Sequence, residues 1–251
     1  MINFNPYSAS RDSFFRQSRN YICAAFTLIE LLVVIGIIGI LAGVIGTALQ
    51  GDGNASVALQ SAQGTVSSLL ASARGQAALT GKVAALLVNA NQNNTDPSNR
   101  YLRYCVVATT TDASPTAASV WTPVNDGVYL PSKIYILPNG VPADGQVQTG
   151  VDFSAVITNS NMNANGFDGT TTQAINSTNA EQWYVLTINP LGQRAGLAGT
   201  TASGCIILST GVPVAPGAAY PFKFNNAQNV RGMSISTYGV AGFINGPEGF
   251  K

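Results

Sequence analysis

The 251-residue chain carries 12 Lys and Arg against 11 Asp and Glu, and no histidine. Near-balanced charge leaves no basic footprint for non-specific nucleic-acid binding, and the missing histidine removes the commonest general base and metal ligand. Length allows one or two domains, and a surface polarity drawn from Asn, Thr, Ser and Gln suits an exported, loop-rich β domain.

Residues 1–25 hold Arg11, Arg16 and Arg19 and end in Ile22-Cys23-Ala24-Ala25. An apolar run then extends from Phe26 to Leu49, long enough for a bilayer, which needs ~20 residues. Basic residues ahead of such a run keep that end cytoplasmic, so the chain beyond Phe26 points outward. Glu30 stands near the start of the run, where a carboxylate is costly unless something answers it. An ordinary secretory signal, cut after Gly46-Thr47-Ala48, is the competing reading. The length of the run and the presence of Glu30 argue against it. Gly36, Gly39, Gly43 and Gly46 are spaced by three, four and three, which puts them on one helix face, and 39–43 is a GxxxG. Small residues let membrane helices approach closely, although each weakens the helix by roughly 1 kcal/mol relative to Ala. The alternative is a membrane helix that merely tolerates glycine.

After Gly51-Asp52-Gly53-Asn54, where a break is expected, the pattern turns amphipathic. Leu59, Ala62, Val66, Leu69, Leu70, Ala73 and Ala77 recur at helical spacing among Gln60, Gln63, Ser67, Arg74 and Gln76. Gly81 supplies the stop. A helix continuous from 26 to 80 would run ~80 Å, its first half in an apolar environment and its second half against a sheet. From Lys82 on, β-branched and aromatic runs bounded by Gly, Pro and Asn predict strands at 83–89, 101–109, 133–137, 151–158, 182–189, 204–210 and 230–237. Turns and long loops are expected at 91–99, 113–116, 138–150 and 159–180. A helix followed by strands argues for the α+β class, with an antiparallel sheet packed on the helix.

Residues 161–168 have the 1, 3, 5 oxygen spacing and position-six glycine of a calcium loop. Its first three ligand positions are amides and position twelve is Thr172, so an Asn-rich surface loop is the simpler reading. Asp52 and the Asp96-Pro97 turn read as cap and turn. No serine has a histidine partner, no Gly-x-Ser-x-Gly elbow occurs, and the glycines of 192–204 lack a Lys-Ser/Thr phosphate signature. The chain reads as a non-enzyme with no cofactor and no metal, and as the substrate of an enzyme. Trp121, Tyr129, Tyr135, Trp183 and Tyr184 read as core or sheet-face residues.

A short arginine-bearing leader, a small residue, Phe26, and Glu30 four positions later resemble the type III signal of type IV pilins and type II secretion pseudopilins. Residues 68–77 with Gly81-Lys82-Val83, Ile188-Asn189-Pro190-Leu191-Gly192, and Arg231 to Ser236 with Gly239 resemble the helix end, the strand and turn, and the closing strand of H-type minor pseudopilins. Two departures stand out: Ala25 in place of the usual Gly, and no basic residue after Gly239. The resemblance implies a leader of 1–25, an assembly helix of 26–50, its amphipathic continuation over 51–81 and a β-rich domain of 82–251. It implies that a prepilin peptidase cuts between Ala25 and Phe26 and N-methylates Phe26. The subunit would reside in the inner membrane with its C-terminal domain in the periplasm, then join other pseudopilins or pilins on a secretion or pilus assembly platform. Glu30 would answer the amine of a neighbour's Phe26. The alternative within this architecture is a minor type IV pilin, serving pilus assembly, adhesion or DNA uptake. An adhesion or binding module that only borrows the export route is a third reading, with the Asn/Thr loops as its surface.

Removing residues 1–25 takes three basic groups, one acidic group and Cys23, which leaves nine basic and ten acidic groups with Cys105 and Cys205. In an oxidising compartment a disulfide between these two is allowed; it would be worth up to ~4–5 kcal/mol in the chain-entropy model. The alternative is two buried thiols on separate strands.

Overall fold

The computed structural model describes residues 52–92, 99–138, 141–143, 145–158, 166–199, 204–215 and 217–251, together with the helical residues 29, 31–35 and 37. The chain divides into two compact units, Met1–Ala48 and Leu49–Lys251. In the first, Ile29, Leu31, Leu32, Val33, Val34, Ile35 and Ile37 are helical and each is exposed. The expected helix continuity across 38–51 lies outside the described residues.

The second unit opens with helix α1, Asp52–Thr80. Leu59, Ala62, Val66, Leu69, Leu70, Ala73 and Ala77 share one face and are all buried, while Val57 and Leu79 lie off it and are exposed. Burying each leucine or the valine contributes roughly 1.5–3 kcal/mol. The helix stops where Gly81 takes φ +64° and its amide donates to Ala77 O at 3.0 Å, a left-handed cap that costs glycine nothing. Thr80 Oγ1 also donates back to Gln76 O at 2.7 Å in the last turn.

Eleven strands follow among the described residues: β1 Val83–Asn89, β2 Tyr104–Thr110, β3 Thr122–Pro123, β4 Val128–Tyr129, β5 Ile134–Leu137, β6 Gly169–Gln173, β7 Glu181–Ile188, β8 Cys205–Pro213, β9 Phe222–Phe224, β10 Val230–Ile235 and β11 Ala241–Ile244. A short 3-10 helix, Pro247–Phe250, follows them. The expected single sheet is instead two. The first runs β3-β2-β1-β7-β6 with β4 also on β2, and the second runs β11-β10-β8-β5 with β9 on β8. Every pairing between these strands is antiparallel, and an isolated parallel bridge joins Val147 to Phe224. Ile136 N donates to Leu102 O at 2.9 Å, linking β5 to the turn before β2.

Helix α1 contacts both sheets, and one core joins its apolar face to Leu86, Val88, Val107, Ile136, Leu208 and Met233. Gln63 fastens the helix to the second sheet by donating to Gly232 O at 2.6 Å and Ile244 O at 3.2 Å. The opposite face of each sheet is also buried. Alternate residues of β5 and β8 enter a second core with Phe222 and Phe224, and alternate residues of β1, β2 and β7 enter a third with Trp121. Strands buried on both faces lose the polar half of the period-two pattern, which is why β1 reads Val-Ala-Ala-Leu-Leu-Val.

One predicted strand, 151–158, is a turn: Val156 and Ile157 N both donate to Phe153 O, at 3.1 and 2.8 Å. Phe153, Val156 and Ile157 are buried at helical spacing, so they plug the second core from one side, where a strand would have split them across two faces. Strand β6 lies inside the predicted loop 159–180; its Gly-Thr-Thr-Thr-Gln sequence pairs with β7 along a five-residue register.

Cys105 on β2 faces the helix core and Cys205 on β8 faces the second core. Both side chains are buried, and no disulfide joins them. Burial pushes each thiol up to about 12.

Candidate functional site

Two places gather the residues singled out by the sequence. The first is the apolar run. Ala25, Phe26, Glu30, Gly36, Gly39, Gly43 and Gly46 lie outside the described residues, as does the leader. The seven described positions between them are helical and aliphatic, with exposures from 47% at Val34 to 69% at Ile29. An apolar side chain left in water forgoes the transfer free energy that burial gives. Seven of them on one short helical stretch call for lipid or protein surroundings. Among the described residues no helix is long and apolar enough to cross a membrane.

The second place is the end of α1, where three separated stretches of sequence meet. Residues 189–193 and 236–240 form turns of one design. In the first, Asn189 N donates to Gln193 O at 2.8 Å and Gly192 N to Asn189 O at 2.9 Å. In the second, Ser236 N donates to Val240 O and Gly239 N to Ser236 O, both at 2.9 Å. In each turn the first side chain accepts the amide four residues on: Gln193 N reaches Asn189 Oδ1 at 3.0 Å, and Val240 N reaches Ser236 Oγ at 3.2 Å. The fourth residue must enter the left-handed region, and glycine does so at φ +79° and +68°.

Both glycines lie against Arg74. A methyl group on Gly192 would sit 3.4 Å from Arg74 Nε and Nη2, and one on Gly239 would sit 3.4 Å from Arg74 Cδ and Nε while colliding with Gly192 O. The Arg74 stem is therefore met by two turns at their glycines, and the turns touch each other there. Its Nε is buried without a hydrogen-bond partner, and among the described residues the guanidinium has no ion pair. Leu191 and Tyr238, at the turn tips, stay 82% and 67% exposed. The sequence held a signal for this site: a polar residue with glycine three positions later, twice. Their meeting at Arg74 is non-local and no spacing announces it.

Behind the first turn lies a buried charge pair that sequence reading missed. Arg194 Nη2 donates to Asp168 Oδ1 at 2.5 Å and to Gly166 O at 3.1 Å. Asp168 Oδ2 accepts Thr187 N at 2.7 Å and Thr187 Oγ1 at 2.9 Å. The two side chains are 2% and 0% exposed. Asp168, the last residue of the calcium-like stretch, is thus committed to an internal arginine. Residues 161–165 of that stretch lie outside the described residues.

The aromatic residues divide. Trp121, Tyr135 and Trp183 are buried, Tyr184 is half-buried and Tyr129 is 43% exposed. Arg100 stacks 4.3 Å over the Tyr104 ring and pairs with Glu181 at 3.1 Å.

No curated protein and no solved structure matches the chain. One family does: residues 22–46 match the prokaryotic N-terminal methylation motif. That motif implies processing by a prepilin peptidase, anchoring in a membrane and assembly with other pilins. The chain carries, at the head of an α+β domain, the N-terminal signal of type IV pilin and pseudopilin precursors.

Proposed function

We propose that this chain is a minor pseudopilin, most like the H type, which a prepilin peptidase cuts between Ala25 and Phe26 and which assembles into a type II secretion pseudopilus. The observation that carries the reading is the methylation motif over 22–46, with Phe26 and Glu30 at its head. The exposed aliphatic helix residues support it, since lipid and a helical bundle both cover such side chains, and transfer between the two costs little. Glu30 is the pairing group for a neighbour's Phe26 amine, and Gly36, Gly39, Gly43 and Gly46 form the face on which helices approach. The helix end at Arg74, with its two glycine turns, lends further support, because the three stretches that resemble H-type pseudopilins are the ones that meet there.

A minor type IV pilin is the second reading. DNA uptake in particular wants clustered Lys and Arg, and residues 51–251 carry nine basic and nine acidic groups with Lys223, Arg231 and Lys251 scattered. Mass spectrometry of the membrane-derived protein tests the proposal: the mature chain should begin with N-methylphenylalanine at Phe26. A mature start after Ala48 would overturn it. Recovery of the subunit in sheared surface filaments, in place of envelope fractions with secretion partners, would favour the pilus.

A further inference from the structure

The outer strand of a sheet carries main-chain groups that pair with any strand able to reach them, so proteins close or blunt such edges. Most outer strands here are closed within the chain. Strands β3 and β4 hold two residues each, and β3 includes Pro123. On β5, Ile136 N is spent on Leu102 O at 2.9 Å. Side chains tie β6 to the segment before β3: Thr171 Oγ1 donates to Ala117 O at 2.8 Å and Gln173 Nε2 to Trp121 O at 2.7 Å. On β9, Phe224 N donates to Gln146 O and Gln148 N to Phe224 O, both at 2.9 Å.

Strand β11, at the end of the second sheet, has no such closure. The turn before it sets its phase. Ser236 N donates to Val240 O, so Val240, Gly242 and Ile244 turn their main-chain groups toward β10. Ala241 and Phe243, across from Ile235 and Met233, turn theirs outward by the alternation of an antiparallel ladder. Among the described residues no hydrogen bond reaches the N–H or C=O of either. Ala241 packs against the helix core, and Phe243, two residues on and on the same face, is 55% exposed. No charged residue occurs from Gly232 to Pro247, and β11 has no proline and an unbroken register. Charge, proline and bulges are the devices that turn an incoming strand away.

We propose that β11 receives an extended segment of a different pilin-type subunit, added as a strand to the second sheet with an apolar side chain over Phe243. Outward N–H and C=O groups repeating every second residue match the main chain of an extended segment, whereas a helix has already spent its own. The direction of α1 argues against a second copy. Gln63 bonds Gly232 O and Ile244 O, and Arg74, further along the helix, meets Gly239, so β11 runs against α1. Two copies paired antiparallel along β11 would point their α1 helices in opposite directions. Subunits anchored through the segment that precedes α1 point them one way. The identity of the partner rests on the pseudopilin reading; the open edge does not.

The test uses the full-length protein in the cells it comes from, with photoreactive p-benzoylphenylalanine in place of Phe243. Irradiation should give an adduct with another chain that itself begins with N-methylphenylalanine, identified by mass spectrometry. Ala241→Pro removes an outward N–H and should lower adduct yield about tenfold, the size of one hydrogen bond, with an unchanged melting temperature. Gly242→Pro removes an inward N–H and should lower the melting temperature instead. Should Ala241→Pro fail to fold, Phe243→Lys, at an exposed position, should reduce co-purification of the same subunit by a like factor without destabilising the domain. No adduct, an adduct with a second copy of this chain or with a protein lacking the N-terminal signal, or yields indifferent to Ala241→Pro and Phe243→Lys would each overturn the proposal. The same spectra separate the two readings. A methylphenylalanine start at Phe26 with no adduct rejects the docking edge alone, while a start after Ala48 rejects the pseudopilin and this partner with it.

Discussion

Two helical regions of this chain carry similar aliphatic side chains and treat them oppositely. In α1, Leu59, Val66 and Leu70 are at most 2% exposed against two sheets of the same chain. At 29, 31–35 and 37 every described side chain is exposed. The same contrast holds for charge. Asp168 is answered internally by Arg194 and Thr187, while Glu30 sits in an apolar run whose answer, on the proposed reading, is another subunit. One region completes itself on folding; the other, on the proposed reading, is completed by assembly. Single-chain stability and assembly should therefore respond to separate sets of mutations.

The largest effect expected is on the helix itself. A variant lacking residues 1–50 should be soluble and monomeric and should unfold cooperatively, because the described core residues run from Leu59 to Phe250. A variant that also lacks 52–80 should aggregate, since the shared face of both sheets loses its cover. Leu59, Val66, Leu69 and Leu70 each take roughly 1.5–3 kcal/mol of burial with them. Denaturant melts with light scattering would decide. A cooperative transition in the shorter variant would break the comparison at its stronger end.

Next come the carboxylates. Asp168→Asn leaves Arg194 buried without its counter-charge and should cost ~3–5 kcal/mol, read as a drop in the denaturation midpoint. Glu30→Ala should leave the domain's melting unchanged and membrane insertion unimpaired or slightly better, yet reduce incorporation into filaments. Wild-type incorporation of that variant would show that Glu30 is not a pairing group.

These pairs also mark what is legible in the sequence. The N-terminal signal is linear and local, so a few adjacent residues carry it. Strand β1 is readable to both ends because Gly81 and Lys82 precede an unbroken apolar run that closes at Asn89. The amphipathic helix is readable because its polar side is polar. The split into two sheets is not, since strands such as β5 and β8 bury both faces and display no period that says which face meets which partner. The strand expected at 151–158 does not form because Phe153, Val156 and Ile157 are spaced as a turn of helix, although their residue types suit a β run. Short edge strands such as β4 and β11 hold too few residues to stand out. Asp168–Arg194 and the two turns at Arg74 join residues that sequence proximity never relates.

The cysteines give a pH test of the self-completing region. Cys105 and Cys205 move from 9.0 to about 12 in the folded chain, and Tyr101, Tyr135 and Tyr184 are also raised, chiefly by burial. A raised folded value means that the folded state holds its proton while the unfolded chain gives it up. Stability from these groups is complete below pH 9 and falls as pH climbs toward 12, by about 1.4 kcal/mol per pH unit for each thiol. Urea midpoints should thus decline steadily above about pH 9. At about pH 8, below the unfolded thiol value, both thiols should resist iodoacetamide in the folded protein and react on unfolding. Labelling of the folded protein at either cysteine would contradict the buried, protonated state.

The smallest effect sharpens the comparison most, because one kind of substitution should change sign between the two regions. Gly64 and Gly75 lie within α1, exposed, with nothing within 4 Å of the position a Cβ would occupy. Replacing either with Ala removes backbone freedom from the unfolded chain at no steric cost and should stabilise the domain by about 0.5–1 kcal/mol. For a domain of this size that is a rise of about 1–4 °C in melting temperature. Gly39→Ala and Gly43→Ala raise helix propensity equally, but on the proposed packing face the added methyl groups hold neighbouring helices apart. They should leave the domain's melting temperature where it is and lower filament yield. If Gly39→Ala and Gly43→Ala assemble as well as wild type, the apolar run is a glycine-tolerant anchor without a packing face. If Gly64→Ala fails to stabilise, the exposed side of α1 is under a constraint that the single chain does not contain.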